Sequence, residues 1–238
     1  SFPFVFRKYD GQKRAEGQTG QTWVTMTADS ILHAGQGYIL QSAPFTDNQS
    51  YNGFLIDAIQ SVNKNNIFTN NDVEVPLAEY PSEFTHNRSW NLIGNPYPTY
   101  YDIRAMQTSA PVTVWDTFNK NYQAYSPIDD AYILNPGQAF FVQRPINEES
   151  ITFLQEGRQI DMTARSVDYG KRASSTVERT VFNILLSGNE MSDRTRFVIN
   201  NTAKLDYEEG RDACKFMSEN QETVQLYTIA DDVRYAIN

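Results

Sequence analysis

The sequence is poor in the residues that build covalent frameworks and metal sites. Of its 238 residues, one is cysteine, Cys214, and two are histidine, His33 and His86. A single cysteine cannot close an intrachain disulfide, so stability has to come from a packed core. Cys214 has no histidine near it in sequence and reads as a buried structural thiol. Neither histidine lies in an HExxH or comparable zinc pattern, and no second ligand type stands at suitable spacing. Positive charge is also scarce: 20 Lys and Arg stand against 29 Asp and Glu, for a net charge of −9. Such a surface repels phosphate backbones and anionic headgroups, which argues against nucleic acid and against a membrane surface as partners. No apolar run approaches the roughly 20 residues of a membrane-crossing helix, so direct membrane insertion is not expected. Long amphipathic stripes are missing too; only Leu55 to Val62 and Asp212 to Met217 read as one or two helical turns.

The signatures of common catalytic folds are not found either. There is no Gly-x-Ser-x-Gly elbow and no phosphate-binding P-loop. Gly35-Gln36-Gly37 is too short for a dinucleotide fingerprint and leads into a strand. The adjacent carboxylates Asp129-Asp130, Glu148-Glu149 and Asp231-Asp232 would point to opposite faces of a strand, and read as solvated loop charge. No catalytic residue and no metal ligand is assigned. Calcium stays open as a cofactor: Asn70-Asn71-Asp72 and Asp47-Asn48 offer oxygen ligands, but neither has the EF-hand spacing or its closing Glu. Turn formation by Asn and Asp explains both equally well.

What the sequence has is aromatics, 14 Tyr and 14 Phe among them, in short β-rich runs. Strands are expected at Phe2 to Phe6, Thr22 to Thr27, Gly37 to Leu40, Val73 to Leu77, Ser89 to Gly94, Val112 to Trp115, Tyr122 to Tyr125, Ala139 to Gln143 and Ser150 to Leu154. Further strands are expected at Thr180 to Leu186, Arg196 to Ile199, Leu226 to Ile229 and Val233 to Ile237. Asp10-Gly11 reads as a hairpin turn. Asn95-Pro96-Tyr97-Pro98 must turn, with Pro96 and Pro98 as candidate cis bonds.

One segment occurs twice. Ile31 to Gln41 (ILHAGQGYILQ) and Ile133 to Gln143 (ILNPGQAFFVQ) share Ile, Leu, Gly, Gln and the final Gln, 102 residues apart (Gly35 to Gly137). His33 falls where the second copy has Asn135, a loop position. A hairpin pattern precedes each copy, so each unit reads as hairpin, glycine-marked turn and apolar strand, stacked on its neighbour in a shared core. The fold class expected is all-β with little helix. It comprises two repeated β units, about 1–60 and 89–157, in a β-rich region 1–157, then a linker or exposed loop over 158–178, and then the start of a β-sandwich over 179–238. The ends read as cuts in a longer polypeptide with no leader pattern at the start.

Ser89 to Pro98 (SWNLIGNPYP), Val112 to Asp116 (VTVWD) and Asn135 to Gln143 (NPGQAFFVQ) together resemble a region of large Bacteroidetes secreted and cell-surface proteins, of the kind exported by type IX secretion. Asp193 to Val198, Asp212 to Lys215 and Leu226 to Thr228 look like the β-sandwich segment that follows it there. The resemblance implies export and an extracellular or cell-surface location, and implies no reaction. Asp29-Ser30-Ile31 resembles the short O-glycosylation signal of these bacteria and reads equally as an ordinary loop.

The function expected is a non-enzymatic structural or adhesive accessory module of an exported bacterial surface protein. Its partners would be neighbouring domains of the same protein, with a glycan or a host or surface protein beyond them. The alternative is a carbohydrate-binding module using surface tyrosines, with Tyr97, Tyr100 and Tyr101 as ligand-binding candidates because exposed tyrosine rings stack on sugar faces. The same rings could instead cap the core. A glycan-active enzyme fragment is a third class, and would need two facing carboxylates.

Overall fold

The structure is a computed structural model that describes residues 4–27, 29–42, 71–163, 179–188, 190–204, 206–218, 220 and 222–238. The expected helix at Leu55 to Val62, the pair Asp47-Asn48, Asn70 and most of the expected 158–178 linker lie outside these residues. The chain is mostly β. The first strands are β1 (Phe4–Tyr9), β2 (Trp23–Thr25), β3 (Tyr38–Ser42), β4 (Val73–Pro76), β5 (Trp90–Gly94), β6 (Tyr100–Asp102), β7 (Met106–Gln107), β8 (Val112–Asp116) and β9 (Asn121–Tyr125). After them come β10 (Ile133–Leu134), β11 (Ala139–Gln143), β12 (Ser150–Phe153), β13 (Arg158–Gln159), β14 (Arg179–Gly188), β15 (Met191–Asn200), β16 (Ala213–Cys214), β17 (Thr228–Ala230) and β18 (Val233–Ile237). Among the described residues the α-helix is a single short one, α1 (Gly11–Ala15).

The strands form small sheets in the orders β2-β1-β3, β10-β6-β13, β5-β11-β8-β9, β4-β12-β7 and β14-β15-β18-β16, with β17 on β18. Pro76 sits in β4, an edge strand, where its missing N–H costs no ladder bond. The four-stranded sheet β5-β11-β8-β9 is buried on both faces. Alternation along β11 sends Phe140 and Val142 into one core and Phe141 into another. The first core joins Ile93, Val112, Val114 and Leu134 to Tyr97, Tyr101, Ile151 and Phe153. The second lies against the sheet of β14 to β18, where Trp90 and Phe141 meet Cys214, Phe216, Val233 and Tyr235.

Two stretches share one strand order. β1 pairs with β2 and β3, and β8 pairs with β9 and β11, all antiparallel. In each, the third strand follows a turn closed by the same hydrogen bond, Gln36 N–H to the His33 carbonyl (3.2 Å) and Gln138 N–H to the Asn135 carbonyl (3.0 Å). The glycine between holds a positive φ in both, +79° at Gly35 and +67° at Gly137, a region that penalises any side chain. Strand β5 lies between the two stretches. It pairs with β11 on one edge, while on the other Gly37 N–H donates to Leu92 O (3.0 Å) and Gly94 N–H to Gly35 O (2.9 Å).

Several expectations are corrected. Asp10-Gly11 is no hairpin turn: Asp10 caps α1, its carboxylate accepting Lys13 N–H at 3.2 Å. Gly11 is needed there for close approach, because a Cβ would run into the Tyr80 ring and the Trp90 carbonyl. Asp212 to Met217 is not helical; Ala213–Cys214 pairs with β18, and tertiary pairing outweighs a weak local preference. Pro96 and Pro98 are both trans, as no cis bond occurs among the described residues. Arg158–Gln159, placed in the linker from sequence, pairs with β6, with Gln159 buried.

Candidate functional site

The three candidate tyrosines are not a surface patch. Tyr97 and Tyr101 are 1% and 0% exposed, stacked at 5.6 Å, and they belong to the first core. Asn95 folds the Asn-Pro-Tyr-Pro turn over them: its side chain accepts Tyr97 N–H (3.1 Å) and donates to the carbonyls of Thr99 (2.9 Å) and Asn135 (3.0 Å). The Tyr97 hydroxyl donates to Phe153 O (2.8 Å), and that of Tyr101 to Leu154 O (3.1 Å). Each ring is thus a post with its polar tip satisfied. Tyr100 is half-buried in β6.

Half of the paired carboxylates, Asp129, Asp130 and Glu148, are not loose loop charge. Asp130 takes a two-pronged contact from Arg196 (2.8 and 2.6 Å), and Asp129 pairs with Arg179 (3.0 Å). Glu148 accepts from Ser109 N–H (3.0 Å) and from the Ser109 and Thr108 hydroxyls (2.5 Å each). Glu149 is exposed at a bend before β12, and Asp231 and Asp232 form an exposed turn between β17 and β18. Asp72, a calcium candidate, accepts Gln155 N–H at 2.7 Å. Cys214 is fully buried, and burial pushes its thiol up to about 12. His33 is exposed, and its backbone N–H donates to the Tyr38 hydroxyl (2.9 Å).

Sequence reasoning missed a cleft of about 520 Å³ where β1, β2, β8, β9 and the segment after β16 converge. Its aromatic walls are two cross-strand pairs at equivalent places in the two like-ordered stretches. Tyr9 of β1 faces Trp23 of β2, with centroids 5.4 Å apart and planes at 68°. Trp115 of β8 faces Tyr122 of β9 at 4.9 Å and 63°. Both are edge-to-face contacts, which hold the rings rigidly. Behind them Phe141 touches Tyr9 (4.8 Å), Trp23 (6.1 Å) and Tyr122 (5.9 Å), and stacks on Phe216 (4.4 Å).

Arg14 of α1 lies over Phe216, its guanidinium carbon 4.1 Å from the ring centroid. Arg14 Nη2 (3.2 Å) and Trp90 Nε1 (3.0 Å) both donate to the His86 carbonyl, which ties α1 to the 3₁₀ turn Thr85–Asn87. Burial lowers the His86 imidazole below its ordinary value, and Arg14 and Arg234 add to that, so the ring is neutral at pH 7. Burial likewise holds the Tyr9 phenol up at about 12, against the pull of Arg14. Thr19, Asn87, Ser218 and Asn220 supply a neutral polar rim. None of the described lining residues is a carboxylate. This arrangement can stack and hydrogen-bond a ligand. The signal that could have found it is an aromatic near the end of one strand facing an aromatic near the start of the next.

No family model, curated protein or solved structure matches the chain.

Proposed function

We propose that this chain is a non-catalytic structural or adhesive module of an exported bacterial surface protein, and that it docks against neighbouring domains of that protein through β14. The carrying observation is β14 itself. Nine of its ten residues are exposed, and Val181, Phe182, Ile184, Leu185 and Leu186 are all among the exposed large hydrophobics. It is the edge strand of its sheet, and residues 180–188 carry no charge. Lone edges are normally blunted by charge, proline or covering structure, so a long neutral apolar edge is suited to receive another β segment. In this reading the sheet of β14 to β18 is one side of a β-sandwich, and the like-ordered stretches are two copies of one β unit.

A second support is the use made of the charged groups. Asp129, Asp130, Glu148 and Asp193 are engaged in ties between elements, an arrangement that serves rigidity. Export is tested by fractionating the source bacterium: surface-exposed product is expected, and cytosolic retention contradicts it. Docking is tested by hydrogen exchange over residues 179–188. The outward-facing amides should exchange fast in this chain and become protected in the full-length polypeptide. Equal exchange in both would contradict the reading.

A further inference from the structure

The aromatic cleft offers what the packing of the molecule does not use. Trp115 is 43% exposed although its partner Tyr122 fixes it edge-to-face. A rigid indole with a free surface loses little entropy when it stacks on a ligand. Trp23 gives a second platform from the other stretch, and both line the same cavity. The volume lies within the roughly 300–1,000 Å³ of small-molecule sites.

We propose that this cleft binds a carbohydrate, with one pyranose face stacked on Trp115 and the chain of sugars running toward Trp23. The ligand class follows from the lining. A sugar ring has an apolar C–H face and a neutral polar edge, and the cleft pairs indole surfaces with the amides and hydroxyls of Asn87, Asn220, Ser218 and Thr19. Among the described lining residues the one charged side chain is Arg14, which suits neutral or acidic sugars. The site is separate from β14, so failure here leaves the docking proposal standing and the reverse also holds.

Intrinsic fluorescence reads the site directly, because two of the three tryptophans line it and the third, Trp90, is 2% exposed. The probes are cellohexaose, xylohexaose, mannohexaose, chitohexaose and oligogalacturonate, with a proline-rich peptide as the competing ligand class. A saturable emission change is expected with at least one oligosaccharide, in the millimolar range or tighter. Trp115→Ala should weaken it by about tenfold or more at unchanged melting temperature, with partial recovery in Trp115→Phe. If no oligosaccharide gives a saturable change, or only the peptide does, or Trp115→Ala binds like the wild type, the proposal is overturned. Should Trp115→Ala unfold, Asn220→Ala on the exposed rim is the replacement variant, and unaltered binding there counts the same way.

Discussion

Asp193 and Lys215 are where the middle sheet and the C-terminal sheet are fastened. Their side chains are 0% and 1% exposed, with Lys215 Nζ at 2.6 and 2.7 Å from the two carboxylate oxygens. Gln123 Nε2 (2.8 Å) and Leu226 N–H (2.6 Å) also donate to Asp193, while Lys215 reaches across to Tyr122 O (3.0 Å). Burial pulls the Lys215 ammonium below its ordinary value, and the Asp193 charge opposes that pull. Removing the anion alone strands a buried cation, so Asp193→Ala should cost about 3–5 kcal/mol. Lys215→Met should cost less, since Asp193 keeps its remaining donors. Urea unfolding of both variants checks the order.

Asp212 provides a second prediction at this scale. Burial raises its carboxyl from 3.8 to about 6, although Glu208 N–H donates to it at 2.7 Å. The folded protein therefore holds this proton more tightly than the unfolded chain does. The stabilisation is complete below about pH 4 and is lost as pH rises through about 6. Asp212→Asn keeps an acceptor for Glu208 and should raise the melting temperature above pH 6, with the gain vanishing below pH 4. Neither role was legible in the sequence. Asp193 and Lys215 are 22 residues apart, Gln123 another 70 from Asp193, and no local spacing announces such a meeting. The Asp129-Asp130 pair misled for the same reason, because its arginines lie on distant strands.

At the scale of elements, the doubled Gly-Gln segment is where the sequence was most informative. A glycine inside a shared pattern pointed to a turn, and both glycines hold positive φ. The surroundings nevertheless differ. A Cβ at Gly137 meets open space, whereas one at Gly35 would run into the Val75 side chain. Gly137→Ala should cost about 1 kcal/mol from backbone strain alone, and Gly35→Ala about 1–3 kcal/mol more from overpacking. Equal losses in urea unfolding would contradict the difference. Most of the longer strands were legible because alternation and β-branched runs are local; the two- and three-residue strands β6, β7, β10, β13 and β16 were not, nor was which edge each strand met. Asp10-Gly11 carried a turn signature, yet a neighbour's ring took the space and the aspartate became a cap. The tyrosines beside Pro96 and Pro98 were visible as a cluster, but burial depends on the strands that close over them.

Among the described residues one sheet has two buried faces, and β14 carries five of the sixteen exposed large hydrophobic side chains. That contrast separates residues that hold the fold from residues held in reserve for a partner. The most direct test is the variant Phe182→Lys/Leu185→Lys, which charges both faces of β14 at positions 51% and 66% exposed. If β14 is a docking edge, the variant should unfold within about 1 kcal/mol of the wild type in urea and should lose binding of a hydrophobic dye. A loss of several kcal/mol, of the size expected for a core substitution, would show that the strand is packed within this chain and would contradict the account.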